Sequence, residues 1–176
     1  MYTAKKIKDE MEKNNIIITP FDESRLNANS YNLTLSPELM VYCNNTNKPI
    51  DMKKKNPTVK FTIPEEGYIL EPGRLYLART NEYTMTKNAI PCLSGRSSIG
   101  RLGINVHVTA GFGDIGFSGY WTLEIFVVEP VKIYPNCEIC QIYYEEADGD
   151  IDKTYDGKYQ NNNGIQESYM FKEYNK

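Results

Sequence analysis

One stretch, Gly95 to Glu124, holds most of the groups in this chain that could do chemistry: GRSSIGRLGINVHVTAGFGDIGFSGYWTLE. Arg96 and Arg101 flank the serine pair Ser97 and Ser98. The chain's single histidine, His107, comes next, followed by Asp114 in a glycine-rich turn and Glu124 inside an apolar run. No core asks for that mixture, so a site has to be considered. Ser97 and Arg101 stand four apart and share one face of a helical turn. A serine at a helix start caps orphan backbone N–H groups, and the same groups, with the helix dipole, attract phosphate. Arginine's rigid fork suits phosphate oxygens, so Arg96 and Arg101 could meet one polyanion. The plainer reading is a capped helix carrying two solvated arginines.

Ile104 to Ala110 alternates. Ile104, Val106 and Val108 are expected on one face, with Asn105, His107 and Thr109 on the other. A lone histidine builds no metal site by itself. Gly111 to Gly116 is a turn by its glycines, where an aspartate commonly bonds nearby backbone. Tyr120 to Val128 is a strand with one charge. Glu124 either faces water at an edge or is partly withdrawn from it, and a withdrawn carboxylate suits a general base or acid at neutral pH.

The rest of the chain must position these groups. Its 176 residues, 40% hydrophobic, fit one domain, and a chain of this size buries roughly 70% of its unfolded surface. A net charge of −3 argues against a partner made of polymeric DNA or RNA, which asks for a basic face. No apolar run reaches the length of a membrane span, and Met1-Tyr-Thr-Ala-Lys-Lys lacks a signal-peptide core; a cytoplasmic protein without membrane partners is expected. Cys137 and Cys140 have C-x-x-C spacing, but three residues along a strand point to opposite faces. His107 opens no H-x-E, and Pro91-Cys92 no P-C-x-x-C, so the zinc-deaminase pattern is missing. The cysteines read as reduced core residues.

Thr3 to Asn14 is a predicted helix, with Ile7 and Met11 four apart. Ile16–Thr19, Asn29–Leu35, Val59–Ile63, Gly67–Leu70, Leu75–Arg79, Val131–Tyr134 and Glu138–Tyr144 are predicted strands, and 44–58 a solvated loop. Many short strands between proline and glycine turns mean an all-β barrel or sandwich. From Glu145 onward the composition turns acidic and Asn-rich. That tail is either disordered or a lid in which Lys158 pairs with phosphate and Tyr159 stacks on a base or ribose.

Four ordered pieces, R-S-S-I-G-R-L-G from Arg96, H-V-T-A-G from His107, D-x-G-F-x-G from Asp114 and T-L-E from Thr122, resemble the dCTP deaminase family, relatives of the trimeric dUTPases. Tyr155 to Gln160 with Gly164 is similar to the family's K-Y-Q tail, and Glu66 to Asn81 to its preceding strands. Asn32 stands where the family's S-Y-D-L-x-L strand has aspartate.

The resemblance implies a mostly β chain: a distorted β-barrel or jelly-roll of the dUTPase-like type, with a short N-terminal helix and a mobile C-terminal tail. It makes 1–176 a single domain, with the lid from about 147. It implies dCTP as substrate, a homotrimer with sites between subunits, magnesium carried with the triphosphate, no zinc, and dTTP as a possible inhibitor. Glu124 would pass protons between water and the cytosine ring, while Ser97 and Arg101 hold the water. Arg96, Ser98, Ile99, Gly100, His107, Thr109, Ala110, Thr122, Leu123, Tyr155, Lys158, Tyr159 and Asn162 would bind substrate. Members that stop at dUTP carry H-R-I-D after V-T-A. Here Gly111-Phe112-Gly113-Asp114 resembles the members that go on to dUMP and pyrophosphate, which gives Asp114 the water attacking the α-phosphate and dUTP the place of an intermediate. A deaminase releasing dUTP, and a non-catalytic nucleotide-binding regulator, are the alternatives.

Overall fold

Apolar runs cut by proline, glycine and asparagine turns become strands here, and most of the strands join into one strongly bent sheet. The computed structural model describes residues 1–43 and 49–175. After helix α1 (Ala4–Glu12) come β1 (Ile16–Thr19), β2 (Tyr31–Tyr42), β3 (Thr58–Thr62), β4 (Tyr68–Leu70), β5 (Tyr76–Thr86) and β6 (Ala89–Gly95). The short helix α2 (Ser97–Gly100) precedes β7 (Ile104–Val106), β8 (Ser118–Val127), β9 (Val131–Ile133) and β10 (Glu138–Glu146), and the helix α3 (Phe171–Tyr174) ends the chain. The fold is mostly β and nearly closed, as the sequence predicts. The first part of the loop predicted at 44–58, residues 44–48, lies outside the described residues.

The main sheet runs β6-β10-β2-β5-β8-β7, with β1 also paired to β5 and β3 to β2. Strands β4 and β9 form a separate antiparallel pair. Register shifts between Leu35 and Leu39 on β2, and between Arg79 and Tyr83 on β5, bend the long strands, as bulges do. Alternate residues of β2, β5, β8 and β10 fill the interior: Tyr31, Leu33, Leu35, Tyr76, Ala78, Leu123, Ile125 and Ile142 are buried.

Helix α1 is shorter than the sequence predicts because Thr3 is its cap, the side chain accepting from the Lys6 N–H, which satisfies one orphan donor. Beneath it the buried Glu10 accepts from Lys6, Lys13, Asn15 and Asn88, tying helix to sheet. The tail runs back over its own sheet. Gln160 Nε2 donates to the Gly116 carbonyl and its Oε1 accepts from the Ser118 N–H. Further on, Ile165 is buried against Met40 and Leu77.

Candidate active site

Alternation along β8 builds the site's floor. Trp121, Leu123, Ile125 and Val127 are buried, while Tyr120, Thr122 and Glu124 line a cavity of about 470 Å³. Because β8 is flanked by β5 and β7, Glu124 is not on an edge. Leu77 faces it across the β5–β8 ladder and also lines the cavity. Leu123 points into the core at 0% exposure, so it offers a ligand only its backbone.

His107 lies over the same floor. Its Nδ1 is 2.6 Å from Glu124 Oε2, and its N–H faces the Glu124 carbonyl at 3.4 Å. No hydrogen bond joins the two side chains, and both atoms are buried without a hydrogen-bond partner. Such orphaned polar atoms mark places where a ligand or water has work to do. The predicted alternation fails here. Strand β7 stops at Val106, and His107 takes a φ of 53°, a left-handed value costly for a residue with a Cβ. That twist turns His107 inward at 8% exposure and Val108 outward at 62%.

The glycine turn brings Asp114 to the same cavity. It is docked on β6: the Leu93 N–H donates to the Gly111 carbonyl and the Gly113 N–H to the Pro91 carbonyl. Gly113 has to be glycine because a Cβ there would sit 2.6 Å from Trp121 Cη2. Asp114, Phe112 and Tyr155 also border a second hollow with Lys153 and Asp156.

The 96–101 segment is elsewhere. Helix α2 has Arg96 at its N-cap with no side-chain cap, so the predicted serine cap does not form. Ser97, Ser98, Gly100 and Arg101 are exposed, and none of residues 96–101 lines the cavity. One chain therefore does not bring Ser97 and Arg101 to Glu124. Thr109 is exposed while Ala110 reaches the wall.

The tail supplies the roof. Tyr155, Tyr159 and Asn162, expected from the sequence to bind substrate, line the cavity. Asn162 Oδ1 accepts from the Tyr120 N–H at 2.8 Å, and Tyr159 stacks on Tyr169 with ring centres 5.2 Å apart. Lys158 is paired with Glu173, which raises its pKa by hydrogen bonding. Thr122 Oγ1 accepts from the Gln166 N–H, so the tail holds two groups that the sequence assigns to substrate.

The dCTP deaminase-like family model matches residues 1–147. The chain belongs to that family. It is 65% identical over 161 residues to a Clostridium botulinum (strain Eklund 17B / Type B) protein named dCTP deaminase, dUMP-forming, covering 92% of this chain and 91% of the relative. A Hathewaya histolytica protein of the same name is 58% identical over 172 residues, covering 98% of each. The 2'-deoxycytidine 5'-triphosphate deaminase of Agrobacterium tumefaciens has a similar fold, with a TM-score of 0.63 at 17% identity, over 83% of this chain and 47% of that one. EIAV dUTPase follows with a TM-score of 0.51 at 12% identity, over 81% of this chain and 96% of that one.

Within this deaminase-like chain, Asn32 has a definite job where the family's strand has aspartate. Its Nδ2 donates to Glu138 Oε2, and Arg96 pairs with the same oxygen at 2.7 Å. A carboxylate at position 32 would face another carboxylate. Arg96 also donates to the Glu138 carbonyl, which holds it against β10 while 31% of its side chain stays exposed. Trp121, Phe117, Tyr120 and Gln166 line the cavity too and were missed as site residues. The period-2 pattern of β8 could have found Tyr120, but nothing in the sequence signals Trp121. Among the described residues, no three or more His, Cys, Asp or Glu side chains converge as a metal site.

Proposed function

We propose that this chain is a dUMP-forming dCTP deaminase. The observation that carries the reading is one cavity lined by both Glu124 and Asp114, a proton-transfer carboxylate and a second carboxylate for phosphate chemistry. The relatives at 55–65% identity, named for dUMP formation, support it.

In this reading the pyrimidine of dCTP lies over Thr122 and Glu124. Glu124 takes a proton from water as its oxygen bonds to C4, and the ring electrons move to N3. The carboxyl group gives that proton to N3, takes a second from the new C4 hydroxyl and passes it to N4, and the C4–N4 bond breaks as C4=O forms and ammonia leaves. Such positioned proton transfer is worth about 10²–10⁴ in rate. His107 fixes the Glu124 carboxylate, and the Thr109–Ala110 backbone contacts the base. Asp114 orients a second water onto the α-phosphorus, and pyrophosphate departs from dUMP. Phe117 and Tyr155, 6.0 Å apart, give the deoxyribose an apolar wall.

Ser97 and Arg101 act on the water from a neighbouring copy in a homotrimer, with Arg96, Ser98, Ile99 and Gly100 beside the triphosphate. Among the described residues the sheet ends at β7 with one edge unpaired, and Leu102, Phe126 and Val128 beside it are exposed, an apolar margin suited to self-association. Lys158 releases Glu173 to meet phosphate as the tail closes. Asp114, Glu124 and Glu167 line the cavity, Asp156 borders the adjoining hollow, and among the described residues no three such donors converge. That sparse donor set fits magnesium carried on the nucleotide and completed by water. When bound, the ion neutralises phosphate charge. dTTP, sharing the pyrimidine and triphosphate, is a proposed inhibitor of the same cavity. The free cysteines fit a reducing compartment, and the cytoplasm is the proposed location; no described helix is long and apolar enough to cross a membrane.

The test offers dCTP and dUTP separately, with magnesium, and resolves the products. Ammonia, dUMP and pyrophosphate from dCTP are expected. dUTP without pyrophosphate removes the second step, and no ammonia removes the first.

A further inference from the structure

The two proposed steps need two waters held at fixed positions about one bound nucleotide, and one side chain touches both ends of the cavity. Trp121 is 6% exposed. Its ring meets His107 edge-on at 5.8 Å between centres, which is the Glu124 end. Its Cη2 lies 2.6 Å from where a Cβ on Gly113 would be, which is the Asp114 end. Phe117 packs on it at 5.0 Å. The indole is not free to turn: Nε1 donates to Thr84 Oγ1 at 2.9 Å, and the Trp121 N–H donates to Thr80 Oγ1 at 3.2 Å. Both threonines are buried on β5.

We infer that Trp121, oriented by Thr84, is a positioning residue that sets the spacing between Glu124 with His107 and Asp114, and so keeps the deaminated nucleotide in place for hydrolysis. The inference rests on the two-step reading above. A shorter ring leaves a gap against both neighbours, and the glycine turn, which no longer meets the indole, is left with only its main-chain bonds to β6 to hold it. A shift of about 1 Å in a positioned group costs up to about a hundredfold in rate. Asp114, on a turn, moves more readily than Glu124, on a central strand. The product of the first step then escapes before the second.

Trp121→Phe and Thr84→Val are compared with the unaltered chain on dCTP with magnesium, following dUTP and dUMP separately. Thr84→Val keeps nearly the shape of the side chain and removes the hydroxyl that Nε1 donates to, so it decides the matter if Trp121→Phe does not fold. The expected result is free dUTP in the products of both variants, with the ratio of hydrolysis to deamination lowered about tenfold or more in Trp121→Phe and less in Thr84→Val. If the folded variants slow both steps in parallel and release no dUTP, the indole is only packing and the inference falls. An unaltered chain that makes no dUMP from dCTP overturns the proposed function, and this inference with it.

Discussion

Nδ1 of His107 lies 2.6 Å from Oε2 of Glu124, and neither atom has a hydrogen-bond partner of good geometry. The pair sits where β7 ends and β8 passes beneath it, so backbone strain at His107 serves to aim a side chain at a carboxylate. Glu124→Gln keeps the shape of the side chain and cannot accept the proton. Ammonia release from dCTP is expected to fall by about 10³-fold or more, while nucleotide binding persists. Deamination that survives this change would remove Glu124 from the chemistry.

Asp114→Asn separates the steps from the other end. The residue is exposed on its turn, so the fold should tolerate the change. dUTP is expected to accumulate from dCTP, with dUMP formation down by about a hundredfold, in line with loss of a water-orienting group. Product analysis with labelled dCTP reads this directly, and unchanged dUMP formation would clear Asp114 of its assigned role.

The strands, and the placing of Glu124 on one of them at the cavity, were legible because period-2 alternation and the ordered motif pieces are local signals. The inward turn of His107 was not, since a positive φ at a non-glycine residue leaves no mark in an apolar–polar pattern. Asn32 was opaque for a different reason: its meaning lies in Glu138, more than a hundred residues away in sequence. The tail read as polar and irregular, yet its Asn161 N–H donates to the Ser118 carbonyl and its Gln166 N–H to Thr122 Oγ1, which composition does not report. Ser97 and Arg101 were legible as chemistry, but one chain leaves them apart from Glu124.

Trp121 is the chain's single tryptophan and lines the cavity, so its emission is a private reporter of the site. Adding dCTP to Glu124→Gln, which cannot turn it over, is expected to change fluorescence saturably. The same titration with Phe117→Ala should need about tenfold more nucleotide, the loss of about 1.4 kcal/mol of ring contact. A silent tryptophan at saturating nucleotide would place the ligand elsewhere.

Glu10 sets an acid limit. Hydrogen bonds from Asn88 first, then Asn15 and Lys6, hold its carboxyl well below its ordinary value of 4.5. The unfolded chain therefore takes up a proton near pH 4.5 that the folded chain refuses. The stabilisation is complete above that pH and drains away as pH falls below it. Glu10→Gln should lower the melting temperature at neutral pH and flatten its fall between pH 5 and 3 relative to the unaltered chain, as read by thermal unfolding. Parallel curves would mean that the Glu10 cluster does not control acid stability.

If Ser97 and Arg101 reach Glu124 from a neighbouring copy, two dead variants should rescue each other. Arg101 is exposed and leaves the fold intact when truncated, so Arg101→Ala and Glu124→Gln should each assemble and each lack deaminase activity. A site between copies then takes Glu124 from an Arg101→Ala chain and Arg101 from a Glu124→Gln chain. In a closed ring assembled at random from equal amounts, about a quarter of the sites are whole. Co-refolded mixtures should recover about that share of ammonia release, and mixtures combined without exchange should recover none. No recovery in mixed rings shown to contain both chains would mean that each chain builds its site alone, and Arg101 would then have to reach Glu124 by a rearrangement of α2 within its own subunit.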